Sequence, residues 1–206
     1  MINKVLISLF LLLYVPSLLA AKPALILQIT VDQLRSDLVT RNVEHFEAGG
    51  FRYLLDKGAV YADARFSHAN TMTAVGHATL ATGGNSRQHG LVANEWYDRA
   101  SGRVINSVED ADSPYVGGVA GSGNGRSPRN LIGSTFSDEL VLASGGASRA
   151  YGVSTKDRGA ILTAGHRGQA YWYSTKTGGY VTTAWYADDL PGWVKEWNAR
   201  KLARSY

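Results

Sequence analysis

The sequence has no cysteine. That removes disulfides and thiolate metal sites together, and leaves Asp, Glu, His and hydroxyl oxygens to hold any metal ion. Charge of either sign is also sparse: 21 basic residues against 17 acidic ones give a formal charge of +4. No run of Lys and Arg stands out, so nothing argues for nucleic acid as a specific partner. Five prolines and 23 glycines in 206 residues are too few for a disordered chain. There is no internal repeat, no G-x-S-x-G nucleophile elbow, and no H-E-x-x-H zinc pair or G-x-x-x-x-G-K-[ST] phosphate loop. The glycines of residues 112–130, "DSPYVGGVAGSGNGRSPRN", read as a flexible surface excursion.

What is present begins with a leader. "MINK" is a short basic start, "VLISLFLLLYVPSLLA" an apolar run broken by Pro16, and "LLAAKPA" a small-residue exit. The run is short for a membrane span and reads as an export signal over residues 1–21, cleaved near Ala20 or Ala21; an uncleaved anchor is the alternative. The expected location is periplasmic or extracellular, with no stable membrane association once the leader is removed. The remaining residues are 45% hydrophobic over the whole chain, enough for a core, and form one domain or part of a larger one.

Along that chain, "ALILQITVD" (24–32) is a near-continuous apolar run, the pattern of a strand buried on both faces of a parallel sheet. Helical spacing of Phe46, Phe51, Leu54 and Leu55 predicts a helix over 43–58, with Gly58 as its cap. A strand is expected at 59–66, a short helix from Thr73 to Ala81, a loop at 83–90, and a hairpin over 94–107 turning at "RASG". An amphipathic helix at 131–144, closed by Gly145 and Gly146, precedes a strand at 149–155 that runs on into "KDRGAI". Two aromatic strands, "AYWYST" and "YVTTAWYA", and a terminal helix from Pro191 complete the pattern. Strand–helix alternation predicts an α/β fold with a mostly parallel sheet flanked by helices.

Polar groups cluster at the ends of these elements: Asp32, Thr73, Asn94, Lys156 and Arg158. Together they suit a phosphoryl group. A threonine hydroxyl becomes a nucleophile once a base or metal removes its proton, and a helix N-terminus offers free N–H groups and a positive dipole end to an anion. Lys156 and Arg158, alternating on an extended segment, would point to one side and, with the Asn94 amide, neutralise phosphate oxygens. Each has a plain alternative. Asp32 or Thr73 can be a helix cap, "KDR" a solvated turn, and Asn94 a turn residue.

The order of "ILQITVDQLRSD", "NTMTAVGHATLATG", "HGLVANEWYD", "SPRNLIGSTFSDEL" and "STKDRGAILTAGHRGQAYWY" resembles the alkaline phosphatase superfamily, in the branch with a threonine nucleophile. That branch includes type I phosphodiesterase/nucleotide pyrophosphatases and secreted, broad-specificity bacterial alkaline phosphatases. The resemblance implies Thr73 as nucleophile and metal ligand, Asp32 as a second metal ligand, and Asn94, Lys156 and Arg158 as substrate ligands. It implies two Zn²⁺ ions, small phosphate esters as substrates, and a phosphothreonine intermediate; His77 supports the loop. The Lys156–Arg158 pair, typical of monoesterase members, favours a phosphate monoester hydrolase over a phosphodiesterase or nucleotide pyrophosphatase. The family's later ligands, Asp-x-x-x-His and Asp-His, have no counterpart here: no aspartate is followed by histidine at the first or fourth position. Residues 22–206 therefore read as the N-terminal portion of an alkaline phosphatase-like catalytic domain, inactive alone, with most metal ligands lacking. His68 and His166 read as structural. A non-catalytic module binding phosphorylated ligands is a third reading. The sequence fixes no oligomeric state.

Overall fold

The computed structural model describes residues 23–118 and 123–202; the expected leader at 1–21 lies outside them. The chain divides after Gly58 into two compact units.

In the first unit, the run 24–32 forms no strand, against expectation. A strand exists through its ladder, and this segment pairs with nothing among the described strands; its Leu25, Leu27 and Ile29 are exposed. Helix α1 (Ser36–Arg41) carries Asp37 in its first turn, 3.1 Å from Arg41 one turn on. The helix expected over 43–58 is split. A 3₁₀ turn (Val43–His45) is followed by extended backbone at Phe46, and α2 starts only at Gly50–Lys57. Gly50 at φ +57° makes the break, and the Phe46 and Phe51 rings meet across it at 5.3 Å. Gly58 does cap α2, its N–H donating to the Leu54 carbonyl.

The second unit opens irregularly: the strand expected at 59–66 is absent. Helix α3 (Thr73–Thr82) is where it was expected. The next segment, expected as a loop, contains a short helix α4 (Ser86–His89), because Asn85 and Gln88 form a reciprocal capping box. The hairpin is as read: β1 (Glu95–Asp98) pairs antiparallel with β2 (Arg103–Asn106) around "RASG". After β3 (Tyr115–Val116) come α5 (Phe136–Ala143), β4 (Tyr151–Ser154), α6 (Asp157–Ala164), β5 (Gln169–Ser174), β6 (Gly179–Thr183) and α7 (Gly192–Ala199). α5 begins late because Thr135 and Asp138 form its capping box.

The fold is α/β with helices flanking a four-stranded sheet, in strand order β3-β6-β5-β4. Its described pairings are mixed rather than mostly parallel. β4 and β5 are parallel, joined over α6, while β5–β6 and β3–β6 are antiparallel. The tight turn between β5 and β6 decides the first of these antiparallel pairings, since a hairpin connection permits only the antiparallel neighbour. Period-two alternation on β5 sends Ala170 and Trp172 to one core with α3 and α6, and Tyr171 to a second core with Leu190 and Val194 of α7. α7 is thus docked on the sheet. Its Asn198 accepts from the Tyr180 N–H at 2.7 Å and donates to the Tyr180 carbonyl at 2.8 Å.

α6 lies close on β4. A Cβ at Gly152 would stand 2.1 Å from the Ala160 carbonyl oxygen, so only glycine fits the strand there. The segment 112–130 is not the loose excursion expected, although residues 119–122 lie outside the described ones. Buried Asp110 accepts from Ser113 Oγ (2.8 Å), Ser127 Oγ (2.7 Å) and Arg129 Nη1 (2.9 Å). Four acceptor positions on one carboxylate gather a stretch whose sequence shows no apolar periodicity.

A second buried carboxylate ties α5 to the turn after α6. Burial would push the Asp138 carboxyl up, but hydrogen bonds from His166, the Thr135 N–H and hydroxyl, and the Arg167 N–H outweigh it and bring it down to about 2 from 3.8. The same bond to Asp138 raises His166 above 6.5 against its burial. A depressed carboxyl contributes stability above its unfolded value and loses it as pH falls through the folded one; a raised imidazole contributes below its unfolded value and loses it as pH rises through the folded one. The stability difference between the wild type and His166→Gln is therefore expected to be largest between roughly pH 4 and 6.5, at about 1.5–3 kcal/mol. It should shrink on both sides in a series of denaturant titrations. A difference that stayed constant across pH would show that the pair does not titrate with folding.

Candidate functional site

α3 enters through an extended Met72, so that Thr73 is the first helical residue and not the cap. No side chain at the N-cap closes this end. The amide of Asn94, twenty residues later, does so instead: its Oδ1 accepts the Ala74 N–H at 2.9 Å. With the oxygen so used, the Nδ2 group faces no acceptor among the described residues. The entry loop is fixed to the same strand approach, since Asn70 accepts the Met72 N–H at 3.2 Å and donates to the Val92 carbonyl. The Asn94 side chain is thus held at the first turn of α3, which Thr73 begins.

His77, one turn on, donates from Nδ1 to the Thr73 carbonyl at 2.8 Å. That is the supporting role expected of it. Its Nε2 lies 3.5 Å from where a Cβ of Gly159 would stand, so the glycine lets the first turns of α3 and α6 adjoin. Ala74, Ala78, Ala160 and Ala164 share the core between these helices. Small side chains permit the close approach of the two helices.

Lys156 and Arg158 sit differently from the extended arrangement expected. Lys156 is the extended N-cap residue of α6, and Arg158 is already helical. Asp157, the first helical residue, puts a carboxylate at the positive end of the helix, and its Oδ1 accepts the Arg158 N–H at 2.8 Å. Asp157 Oδ2 is held by Arg126 Nε at 2.7 Å, with both side chains 19% exposed. Arg126 is a member of the site that sequence reasoning missed. It lies 31 residues from its partner, and no local spacing announces it. The two cations stand at the carboxyl end of parallel strand β4, where open α/β sheets place ligands.

The electrostatics are unbalanced in one direction. The Lys156 ammonium and the Arg158 guanidinium have no hydrogen-bond or ion-pair partner among the described residues, and Arg158 Nε is buried without an acceptor. A buried, unsatisfied charged donor is costly, and an anion's oxygens are what it lacks. Lys156 also lines a cavity of about 250 Å³ whose lining does not include Thr73, Asn94 or Arg158.

Asp32 stands in the first unit, exposed, at a turn whose next residue, Gln33, has φ +60°. The strand end expected to carry it is absent. Among the described residues, no three Asp, Glu or His side chains are placed to hold a metal ion. Three histidines are engaged elsewhere. His166 faces Asp138 and the Leu131 carbonyl, while His68 and His89 each place Nε2 3.1 Å from Thr79 Oγ1. Burial and the neighbouring His68 lower His89 below its ordinary value.

Comparison with known proteins adds to this geometry. The profile of the type I phosphodiesterase/nucleotide pyrophosphatase family matches residues 26–203. Alkaline phosphatase PafA of Elizabethkingia meningoseptica is 35% identical over 88% of this chain and 33% of its own length. Alkaline phosphatase PhoV of Synechococcus elongatus is 36% identical over 90% of this chain and 34% of its own. The chain spans about a third of the length of these relatives. The crystal structure of wild-type PafA superposes with a TM-score of 0.82 at 35% identity, over 84% of this chain and 34% of that one. A solved variant of PafA, with a threonine, an asparagine, a lysine and an arginine substituted, also superposes at 0.82. Those four residues have the types and the mutual spacing of Thr73, Asn94, Lys156 and Arg158.

Proposed function

We propose that this chain, which belongs to the type I phosphodiesterase/nucleotide pyrophosphatase family, supplies the nucleophile and the phosphate-binding side chains of an exported alkaline phosphatase acting on small phosphate monoesters. The observation that carries the reading is the buried Arg158 Nε, which has no acceptor among the described residues; the Lys156 ammonium two residues before it and the Asn94 amide nitrogen likewise meet no partner there. Support comes also from the matching residue types and spacing in the substituted PafA variant, and from relatives that are alkaline phosphatases.

In this reading the Thr73 hydroxyl oxygen, at the N-terminus of α3, displaces the ester's alcohol from phosphorus; the alcohol leaves with the proton that the hydroxyl gives up, and water then cleaves the phosphothreonine to inorganic phosphate and the free hydroxyl. Asn94 Nδ2 donates to one phosphate oxygen while its Oδ1 holds the Ala74 N–H, so the amide orients substrate and nucleophile with one plane. Lys156 and Arg158 neutralise the remaining oxygens and stabilise the charge that develops as the ester bond breaks. Arg126 keeps the Asp157 carboxylate from competing for them. Zn²⁺, expected from the resemblance, is assigned no step, since the described residues offer no three-ligand group.

Binding of inorganic phosphate to the intact protein, followed by ³¹P NMR, tests the clamp without requiring turnover. Arg158→Gln is expected to weaken it by roughly tenfold to a hundredfold, the scale of a charged hydrogen bond lost in a partly buried site. Binding that is insensitive to residues 94, 156 and 158 would remove the reading.

A further inference from the structure

The cavity beside Lys156 belongs to none of the roles above. It lies between the β4–α6 turn and the end of β5, and its walls include Tyr115, Lys156, Asp157, Trp172, Tyr173 and Thr175. Resting on the reading of Lys156 as a phosphate ligand, we infer that this cavity receives the organic part of the ester, and that the preferred substrates are phosphate monoesters of planar aromatic alcohols.

Five observations lead there. The volume, about 250 Å³, exceeds the roughly 150 Å³ that admits a benzene ring in a protein interior. Three aromatic side chains line it, and their rings are fixed. Tyr115 meets Trp172 edge-to-face at 5.9 Å, and Tyr173 meets Tyr180 at 6.0 Å and 72°. A rigid aromatic wall favours a flat apolar ring over a flexible chain, because stacked and edge contacts form without ordering the wall. The carboxylate in the lining, Asp157, is already held by Arg126 at 2.7 Å, so it does not repel an anionic ester. Lys156 belongs both to this wall and to the proposed clamp, so one ligand can place its phosphate on the ammonium and its ring in the cavity. Burial also holds the Tyr115 hydroxyl above its ordinary range and therefore neutral.

The test compares affinities of phenyl phosphate, ethyl phosphate and inorganic phosphate for the intact protein by titration calorimetry. It repeats them in Lys156→Ala, Tyr173→Ala and Thr175→Trp, the last filling the cavity from an exposed turn in case Tyr173→Ala folds poorly. Phenyl phosphate is expected to bind roughly tenfold more tightly than inorganic phosphate, the scale of one aromatic contact with its buried area. Ethyl phosphate should gain little. The phenyl advantage should fall toward unity in Tyr173→Ala and Thr175→Trp. Lys156-dependent phosphate binding with no phenyl advantage would overturn the cavity assignment and leave the clamp standing. A phenyl advantage untouched by either cavity variant would place the ring elsewhere and overturn it too. Phosphate binding independent of Lys156 would remove the clamp, and the cavity assignment with it.

Discussion

Thr73→Ala is expected to lower phosphatase turnover of the native enzyme by roughly 10⁴-fold or more, the scale of removing a covalent nucleophile. It should leave the fold almost untouched. The rival account of this residue, a helix cap, predicts the reverse: about 1 kcal/mol of lost stability and no direct loss of chemistry. The structure separates the two. Thr73 is inside the first turn of α3, one residue past the cap position, and the N–H that a cap would satisfy is taken by Asn94 Oδ1 at 2.9 Å. Alanine is also the better helix former at that position. Thermal unfolding and steady-state kinetics on the same preparation read both quantities. Thr73→Ser, which keeps a hydroxyl, should retain part of the rate. Near-normal turnover in Thr73→Ala would refute the assignment, and so would a loss of rate matched by a loss of fold.

Legibility of the fold followed the range of the forces involved. α3, the "RASG" hairpin, α5 and the aromatic pair β5–β6 were readable because each is specified by its own residues: a periodicity, a turn, a capping pair. The run 24–32 was misread because an apolar stretch states what it would bury but not whether a neighbour completes its ladder. Sequence also gave no hint that Asp110 organises residues 112–130, since Ser113, Ser127 and Arg129 converge on it only in three dimensions. The site divides in the same way. Thr73 and Asn94 were legible as types at element ends, and the family resemblance ordered them. Arg126, which secures Asp157, and Gly159, which lets α3 approach α6, act through contacts with no spacing rule.

Their places at the start of α6 make Lys156 and Arg158 unequal, and this shapes the second large effect. A phosphate monoester presents a dianion, whereas a diester puts a second organic group where one charged oxygen would be. Loss of either cation should therefore cost the monoester far more. For Arg158→Ala, the expected fall in kcat/KM is about 10²–10³-fold on a monoester, the scale of removing one preorganised donor from developing charge. On a diester it should be roughly tenfold or less by the same reasoning. The guanidinium is partly buried, with Nε fully so; its field is poorly screened, and its contribution should persist at high salt. Lys156 is exposed, so Lys156→Ala should cost less and lose most of its effect as ionic strength rises. In the proposed clamp both cations meet one phosphate, so the double variant should fall short of the sum of the single effects. Equal losses on monoester and diester would mean that these cations serve the phosphoryl group in general and do not select for its charge, and the family's diesterase chemistry would then be the better assignment.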